Sequence, residues 1–314
     1  MGKESGYILL VLHKLEHSYG YYDVQTGEQI RTIGTREYPH EICLDPLRNR
    51  AYIAEMGVRG IESEGPGGHT IAVYDLKSGA PMSTIDTGKY DRPHGVATYG
   101  KRLYVTSEST RNLLVYDLVS ETLLSAVYLG QDCAHMVGIA PNGQRAYTAN
   151  ILSNTITEVD ALNLRVVRHI EVPERPEGMV FSPDGKLMYC VCREARSVAV
   201  VDCEKGKMVD DIQTGDGPVR IVITPDGERL VIPLFHSSAV EVAETGSRKV
   251  THTIHVGPHP AGTCMSPDGK LVFISCEDEN LVYVFDMKTM EMIRTIKTGD
   301  GADAMVCVYA SEVK

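Results

Sequence analysis

The sequence predicts an all-β fold, a seven-bladed β-propeller in which residues 1–314 form one domain with four antiparallel strands per blade. First, a Pro-Asn-Gly or Pro-Asp-Gly turn recurs every 42 residues, at Pro141, Pro183, Pro225 and Pro267. Second, a short alternating strand closes on Asp at Asp23, Asp75, Asp117, Asp160, Asp202 and Asp286, with Ala243 in the remaining copy. Short strands repeated at about this period are typical of propeller blades.

The two ends of the chain are expected to complete one blade together. Strand-forming segments occur at residues 7–12, 21–23 and 30–33, and residues 303–309 look like the lone first strand of a further blade. We expect the C-terminal segment to supply the inner strand and the N-terminal segment the other three. Such closure removes the exposed edges of an open ring.

The composition excludes several classes of partner. With 31 basic and 42 acidic residues the net charge is −11, which leaves no general basic surface for a nucleic acid. No apolar run approaches the roughly 18 residues that a membrane span needs. We therefore expect no nucleic-acid or membrane partner and a cytoplasmic protein, and the oligomeric state stays open.

Cysteines and short motifs narrow the chemistry. The eight cysteines show no paired short spacing, which favours reduced, buried thiols. Cys190 and Cys192 are expected to face opposite sides of a strand and so not to ligate one metal ion together. The sequence contains no phosphate-binding glycine motif and no nucleophile-elbow serine, so nucleotide cofactors and covalent serine catalysis are disfavoured.

A column of histidines is the main candidate site. Aligned on the repeated turn, the loops that precede the seven inner strands place one residue each at the channel mouth: His40, His94, His135, Glu177, Val219, Ala261 and Asp303. The 11 histidines of the chain would put roughly a quarter of a His in such a column by chance. Three neutral imidazoles from adjacent blades could bind a divalent metal ion, zinc or another first-row transition metal, and leave a position open for water or substrate.

The histidine column also has a structural interpretation, because a repeated His can simply bind a carbonyl group or channel water. Glu177 follows the histidines in the ring. It could be a fourth ligand, an acceptor for an imidazole N–H, or a general base.

A second set of loops on the same face follows the second strands of the blades. The alignment places Glu108, Arg193, His236 and Glu277 in one column, a mixture suited to a polar or anionic small molecule. Arg193 is the best candidate for binding a carboxylate or phosphate, because guanidinium binds such groups through two hydrogen bonds. A solvated loop rim is the alternative.

The first repeat contains about ten extra residues. The excess lies in residues 56–68, rich in glycine, between strands two and three of the blade that carries His40. We expect a lid over the channel mouth, to which Arg59, Glu62, Glu64 and His69 could contribute. A surface insertion without function is the alternative.

The repeats resemble the YVTN family of β-propellers, on the segments Ala146-Tyr147-Thr148-Ala149-Asn150 and Leu103-Tyr104-Val105-Thr106-Ser107 with the strands that follow them. The resemblance covers all seven copies and implies the propeller fold. Similar propellers include lactonase-like enzymes, redox proteins, oxygenases, lyases and binding proteins, so the resemblance does not choose a function. Lactonase-like sites commonly use carboxylate and amide ligands, and three histidines depart from that pattern.

Three functions follow as hypotheses. The first is a metal-assisted hydrolase of a lactone or ester, in which His40, His94 and His135 hold the metal and Glu177 or Glu108 moves a proton. The second is a metal-free lyase or cycloisomerase that uses the His and Glu residues of the channel. The third is a non-catalytic binding propeller with a polar channel.

Overall fold

The computed structural model describes residues 6–313, in which 28 strands form seven antiparallel sheets of four strands. Blade 1 contains β4 (Pro39–Asp45), β5 (Arg50–Glu55), β6 (Thr70–Asp75) and β7 (Pro81–Asp86). Blade 2 contains β8 (Pro93–Tyr99), β9 (Arg102–Ser107), β10 (Asn112–Asp117) and β11 (Leu123–Tyr128). Blade 3 contains β12 (Ala134–Ile139), β13 (Arg145–Asn150), β14 (Thr155–Asp160) and β15 (Arg165–Glu171).

The remaining blades follow the same plan. Blade 4 contains β16 (Pro176–Phe181), β17 (Leu187–Cys192), β18 (Ser197–Asp202) and β19 (Lys207–Gln213). Blade 5 contains β20 (Val222–Ile223), β21 (Arg229–Leu234), β22 (Ala239–Glu244) and β23 (Lys249–His255). Blade 6 contains β24 (Pro260–Met265), β25 (Leu271–Cys276), β26 (Leu281–Asp286) and β27 (Met292–Lys297). Single 3-10 turns span Pro46–Arg48, Glu277–Glu279 and Ala310–Glu312.

Blade 7 joins the two ends of the chain, as the sequence predicts. It contains β28 (Ala302–Tyr309), β1 (Tyr7–His13), β2 (Ser18–Asp23) and β3 (Gln29–Gly34), in that order from the channel outward. β28 pairs antiparallel with β1 from Tyr7↔Tyr309 to His13↔Ala302. The seven-bladed fold and its closure are therefore confirmed.

The repeated Asp ends the third strand of a blade for a local reason. The side-chain oxygen of Asp117 accepts hydrogen bonds from the backbone N–H groups of Val119 and Ser120, which fixes the tight turn to the outer strand. In blade 5 the strand register gives this position to Glu244, paired with Arg229. The assignment of Ala243 to it is therefore wrong by one residue.

Seven apolar clusters hold the ring together, each built from two neighbouring blades. Cys190 and Cys192 both lie in the cluster between blades 3 and 4, whereas Val191 lies in the cluster between blades 4 and 5. The expectation of opposite faces is wrong, because residues two apart on a strand point to the same side. All eight cysteines are unpaired. Among residues 6–313, no helix has the length and apolar character that crossing a membrane requires.

Candidate functional site at the channel mouth

A left-handed residue introduces each inner strand. Positive φ angles occur at Tyr38, Arg92, Cys133, Arg175, Gly217, His259 and Gly301. Five of these seven are not glycine, although the left-handed conformation costs an L-residue roughly 1–2 kcal/mol. Strain of this kind persists where the surrounding structure fixes it, often at functional sites.

A β-bulge follows this residue and directs the second side chain after it into the channel. In blade 1, Pro39 pairs with Glu55 and Glu41 with Ala54, which leaves His40 as the extra residue. Comparable shifts occur in blades 2, 3, 4, 6 and 7. Because a bulge re-aims a side chain, the repeat itself brings the histidine column to the channel mouth.

The residues of this column form an inner ring: His40, His94, His135, Glu177, Val219, Ala261 and Asp303. All seven are buried. The imidazoles of His94 and His135 stack with their centroids 3.7 Å apart, and His40 and His94 lie 4.6 Å apart. The structure thus brings the three imidazoles together at the channel mouth.

The second strands contribute an outer ring one layer above: Lys14, Met56, Glu108, Ile151, Arg193, Phe235 and Glu277. Each follows the residue that pairs with the start of an inner strand. In blade 5 the register pairs Pro218 with Leu234, so Phe235 occupies this position and His236 lies one residue further, exposed on the rim. The placement of His236 in the column is therefore wrong, whereas Glu108, Arg193 and Glu277 are placed correctly.

The two rings enclose a cavity of about 170 Å³. Of the fourteen ring residues, all but Glu108 line it, joined by Arg59, Gly60, Ile61 and Arg220. Glu108 stands behind His135. This volume is below the 300–1,000 Å³ of pockets for drug-sized ligands, so the site suits a small molecule.

His94 is the most unusual side chain of the site. It is fully buried, and neither ring nitrogen has a hydrogen-bond partner of good geometry within residues 6–313. Burial, together with the neighbouring His135 and His40, holds the pKa of His94 well below its usual range. The ring is therefore neutral at neutral pH, with a lone pair available to a ligand.

The two flanking imidazoles are oriented by neighbours. His135 Nδ1 donates to Glu108 Oε1 at 2.6 Å, an orientation in which Nε2 is the acceptor of the neutral ring. His40 Nε2 donates to the backbone oxygen of Arg59 at 3.3 Å. Burial, followed by the charge of Lys14, lowers the pKa of His40 to about 3. His40 is thus also neutral at neutral pH.

Two overlapping groups could hold a metal ion. His40, Glu41 and His94 offer ligand atoms within 4.8 Å of one another, and so do His94, Glu108 and His135. Two imidazoles with one carboxylate is a donor set found in zinc and non-haem iron sites. His94 belongs to both groups and would be their common ligand, and a face of three imidazoles stays a prediction.

A charged floor closes the cavity below the imidazoles. Arg220 reaches across from blade 5 to Glu41, with Asp303 at 3.8 Å. Burial raises the pKa of Glu41 to about 7 even though Arg220 opposes the shift. Burial would also raise the pKa of Asp303, but Lys14, at 3.0 Å, together with His40 and Arg220 lowers it to about 2. Sequence reasoning missed Lys14, Glu41 and Arg220.

Arg193 and Glu177 form the side of the site next to His135. Arg193 lies 3.3 Å from Glu177 Oε1 and above the ring of Phe235. His236 Nε2 is 3.4 Å from the same guanidinium. Arg193 is therefore placed at the cavity as expected, but it already has a carboxylate partner.

The insertion of blade 1 lies over the channel mouth. Its ends meet where Gly57 has a φ of 70° and a Cβ would lie 2.2 Å from the Gly68 nitrogen, so only glycine fits at residue 57. Arg59, Gly60 and Ile61 line the cavity, as expected of a lid. Among the described residues, Glu64 and His69 do not line it.

Residues of three other blades anchor this segment, residues 56–68. Arg59 lies 3.6 Å from Glu277 of blade 6, and Glu62 lies 2.9 Å from Arg175 before blade 4. Arg92, before blade 2, donates to three backbone oxygens of the segment. These polar contacts hold the segment over the channel mouth.

Comparisons with known proteins agree with the fold. No protein-family model matches the sequence, and no curated protein matches it. A candidate 6-phosphogluconolactonase from Bacteroides uniformis has a TM-score of 0.81 at 16% identity, covering 97% of this chain and 100% of that one. The periplasmic gluconolactonase of Pseudomonas aeruginosa has a TM-score of 0.80 at 17% identity, covering 97% and 99%.

Other chemistry occurs on similar structures. Hydrazine synthase from Kuenenia stuttgartiensis has a TM-score of 0.73 at 19% identity, covering 87% of this chain and 93% of that one. At such identities the likeness shows the fold alone. The chain has the seven-bladed propeller fold that the gluconolactonase structures also have, while membership in the YVTN family stays a resemblance.

Proposed function

We propose that the protein is a metal-assisted hydrolase of a small lactone or ester, with its active site in the cavity at the channel mouth. His94 is the observation that carries the proposal. It is a fully buried, neutral imidazole that stands between two further imidazoles, and neither of its nitrogens has a hydrogen-bond partner of good geometry within residues 6–313. Because buried polar groups are nearly always satisfied, this arrangement calls for a bound ligand.

The ion would be zinc or another first-row transition metal, bound to His94 with His135 and His40 at its two sides. The residues fit such an ion. His94 and His40 are neutral at neutral pH, and Glu108 holds the far nitrogen of His135 as carboxylates commonly hold metal-bound imidazoles. A metal bound here would polarise a carbonyl group and lower the pKa of a water molecule.

Glu177 is the general base of this proposal. Its carboxylate lines the cavity next to His135 and is paired with Arg193. Hydrolysis joins a water oxygen to the carbonyl carbon and breaks the acyl C–O bond. Glu177 accepts the proton of the water and passes it to the departing alkoxide, so that a lactone yields a hydroxy acid.

The other predicted site residues support these steps. Arg193 holds Glu177 and presents further N–H groups to a substrate oxygen. Glu108 acts through His135 and is a positioning residue. His236 stands on the rim beside Arg193.

A metal-free lyase or cycloisomerase is the second candidate. The hydrogen bond of 2.6 Å between His135 and Glu108 favours it, since a histidine oriented by a carboxylate is suited to moving protons. In that case the imidazoles would act as acids and bases, with no metal ion.

One experiment separates the candidates. Wild type, His94→Ala and the control His252→Ala, an exposed histidine of β23, are purified without chelators and reloaded with zinc or iron(II). Elemental analysis is followed by a screen of lactones and esters. We expect close to one equivalent of metal and hydrolysis in wild type and control, and loss of both in His94→Ala.

The alternatives give different results. Well under one equivalent in reloaded wild type overturns the metal-assisted proposal. Activity without metal that is lost in His94→Ala supports the metal-free candidate. If no activity responds to His94→Ala, the channel is a binding surface and not an active site.

We propose a polar or anionic small-molecule substrate, no nucleic-acid or membrane partner, and a cytoplasmic location. The ion pairs that line the cavity support a polar substrate. The acidic net charge of −11 argues against nucleic acid. The eight unpaired thiols support a reducing compartment.

A further inference from the structure

The cavity is polar on one side and apolar on the other. The inner-ring residues of blades 5 and 6 are Val219 and Ala261, both buried and both lining the cavity, with Phe235 above them. Neighbouring inner strands contact one another in chain order around the ring, so blades 5 and 6 lie across the channel from blade 2. The apolar wall, defined as Val219, Phe235 and Ala261, therefore faces His94.

Three apolar side chains of the outer ring and the lid, Met56, Ile151 and Ile61, also line the cavity, beside the charged groups there. A substrate held at the imidazoles must then bring some part of its surface against apolar groups. Hydroxyl groups placed there would lose their hydrogen bonds to water without gaining new ones.

The cations of the cavity are not available for an anion. Lys14 lies 3.0 Å from Asp303, Arg193 lies 3.3 Å from Glu177, and Arg220 contacts Glu41. Arg59 of the lid lies 3.6 Å from Glu277. A phosphate group would have to displace these carboxylates and would then lie beside them, which like charges oppose.

We propose that the substrate is an uncharged lactone or ester that carries a short alkyl or other apolar substituent, with its carbonyl group at His94 and the substituent against the apolar wall. This inference rests on the proposed hydrolase function and narrows its polar or anionic substrate to an uncharged one. The cavity of about 170 Å³ limits the substituent to a few carbon atoms. Sugar lactones and phosphorylated lactones are thereby excluded as good substrates.

The test measures kcat/KM of the metal-loaded protein on γ-butyrolactone, γ-valerolactone, γ-hexalactone and γ-heptalactone, with gluconolactone and 6-phosphogluconolactone as polar comparisons. Burial of each added methylene group should raise kcat/KM about fourfold until the wall is filled. Both sugar lactones should react at least about tenfold more slowly than γ-hexalactone, because their hydroxyl groups would be desolvated.

A substitution in the apolar wall tests whether this wall causes the preference for longer alkyl substituents. Val219→Thr keeps the shape of the side chain but places a hydroxyl group in the wall, and it should lower the preference for γ-heptalactone over γ-butyrolactone about fivefold. Val167→Thr, on the exposed face of β15, is the matched control and should leave the preference unchanged.

Binding supplies a readout that does not depend on turnover. The corresponding γ-lactams resist hydrolysis, and their dissociation constants by calorimetry should fall about fourfold per methylene. If the alkyl series is flat, or if either sugar lactone reacts or binds best, the substrate proposal is overturned while the hydrolase proposal stands. If the alkyl lactams bind in this order but no lactone or ester is cleaved, the hydrolase proposal fails and the apolar subsite stands.

Discussion

The closing strand β28 provides the sharpest test of the fold. Val308 is 3% exposed, pairs with Ile8 and packs in the cluster shared by blades 7 and 1. In Val308→Asp, the lost apolar burial costs about 1.5–3 kcal/mol. A carboxylate left without a partner at this buried position adds several kcal/mol more.

The total, at least about 5 kcal/mol, is a large part of the 5–15 kcal/mol typical of folded domains. At roughly 2 °C per kcal/mol for a chain of this size, the melting temperature should fall by about 10 °C or more. Urea unfolding followed by circular dichroism measures the free energy of unfolding. The control is Val209→Asp on the exposed outer strand β19, and its free energy of unfolding should lie within about 0.5 kcal/mol of wild type. If Val308→Asp also stays within about 1 kcal/mol of wild type, β28 does not close the ring as described.

Three further predictions concern the lid and the buried charges. Joining Gly57 directly to Gly68, whose backbones already meet, should change the free energy of unfolding by less than about 2 kcal/mol, because the segment's own partner in each deleted ion pair, Arg59 or Glu62, is exposed. The kcat/KM for a lactone should fall about tenfold or more as His40 loses the Arg59 carbonyl and water enters, and retained activity would argue against a lid. Burial lowers the pKa of His13 to about 4, so its neutral form stabilises the fold above pH 6.5, and this contribution, about 3 kcal/mol, is lost as the pH falls to about 4. The difference in the free energy of unfolding between wild type and His13→Gln should shrink by that amount across this pH range, and a constant difference would contradict the burial effect. Arg220→Met removes the cation that opposes the rise in the pKa of Glu41 to about 7, so the Glu41 carboxyl takes up a proton in the variant. The loss in the free energy of unfolding should therefore be about 1 kcal/mol larger at about pH 8 than at about pH 5, and an equal loss at both pH values would show that Glu41 does not carry the effect.

The sequence was sufficient for features that each blade repeats locally. Two markers recur in most copies: the Pro-Asp-Gly turn, with its glycine at positive φ, and the Asp that ends the third strand and accepts backbone N–H groups. Their spacing reveals the number of blades. The histidine column follows from the same alignment, because the bulge at the start of the inner strand is also part of the repeat.

Features that depend on irregular blades or on distances across the channel could not be predicted. Lys14 was missed because blade 7 is assembled from both ends and lacks the marker turn. Arg220 lies where the inner strand of blade 5 is reduced to β20, and its partner Glu41 is distant in sequence. The error at His236 arose in the same blade, where the alignment shifted by one residue relative to Phe235.

Metal binding by the imidazoles at the channel mouth underlies the proposed function. X-ray absorption at the zinc edge of the reloaded protein tests it most directly. We expect two or three imidazole nitrogens at about 2.0–2.1 Å from the zinc ion in wild type, and their loss in His94→Ala. Zinc bound through sulfur at about 2.3 Å, or an imidazole signal that His94→Ala leaves unchanged, would contradict it.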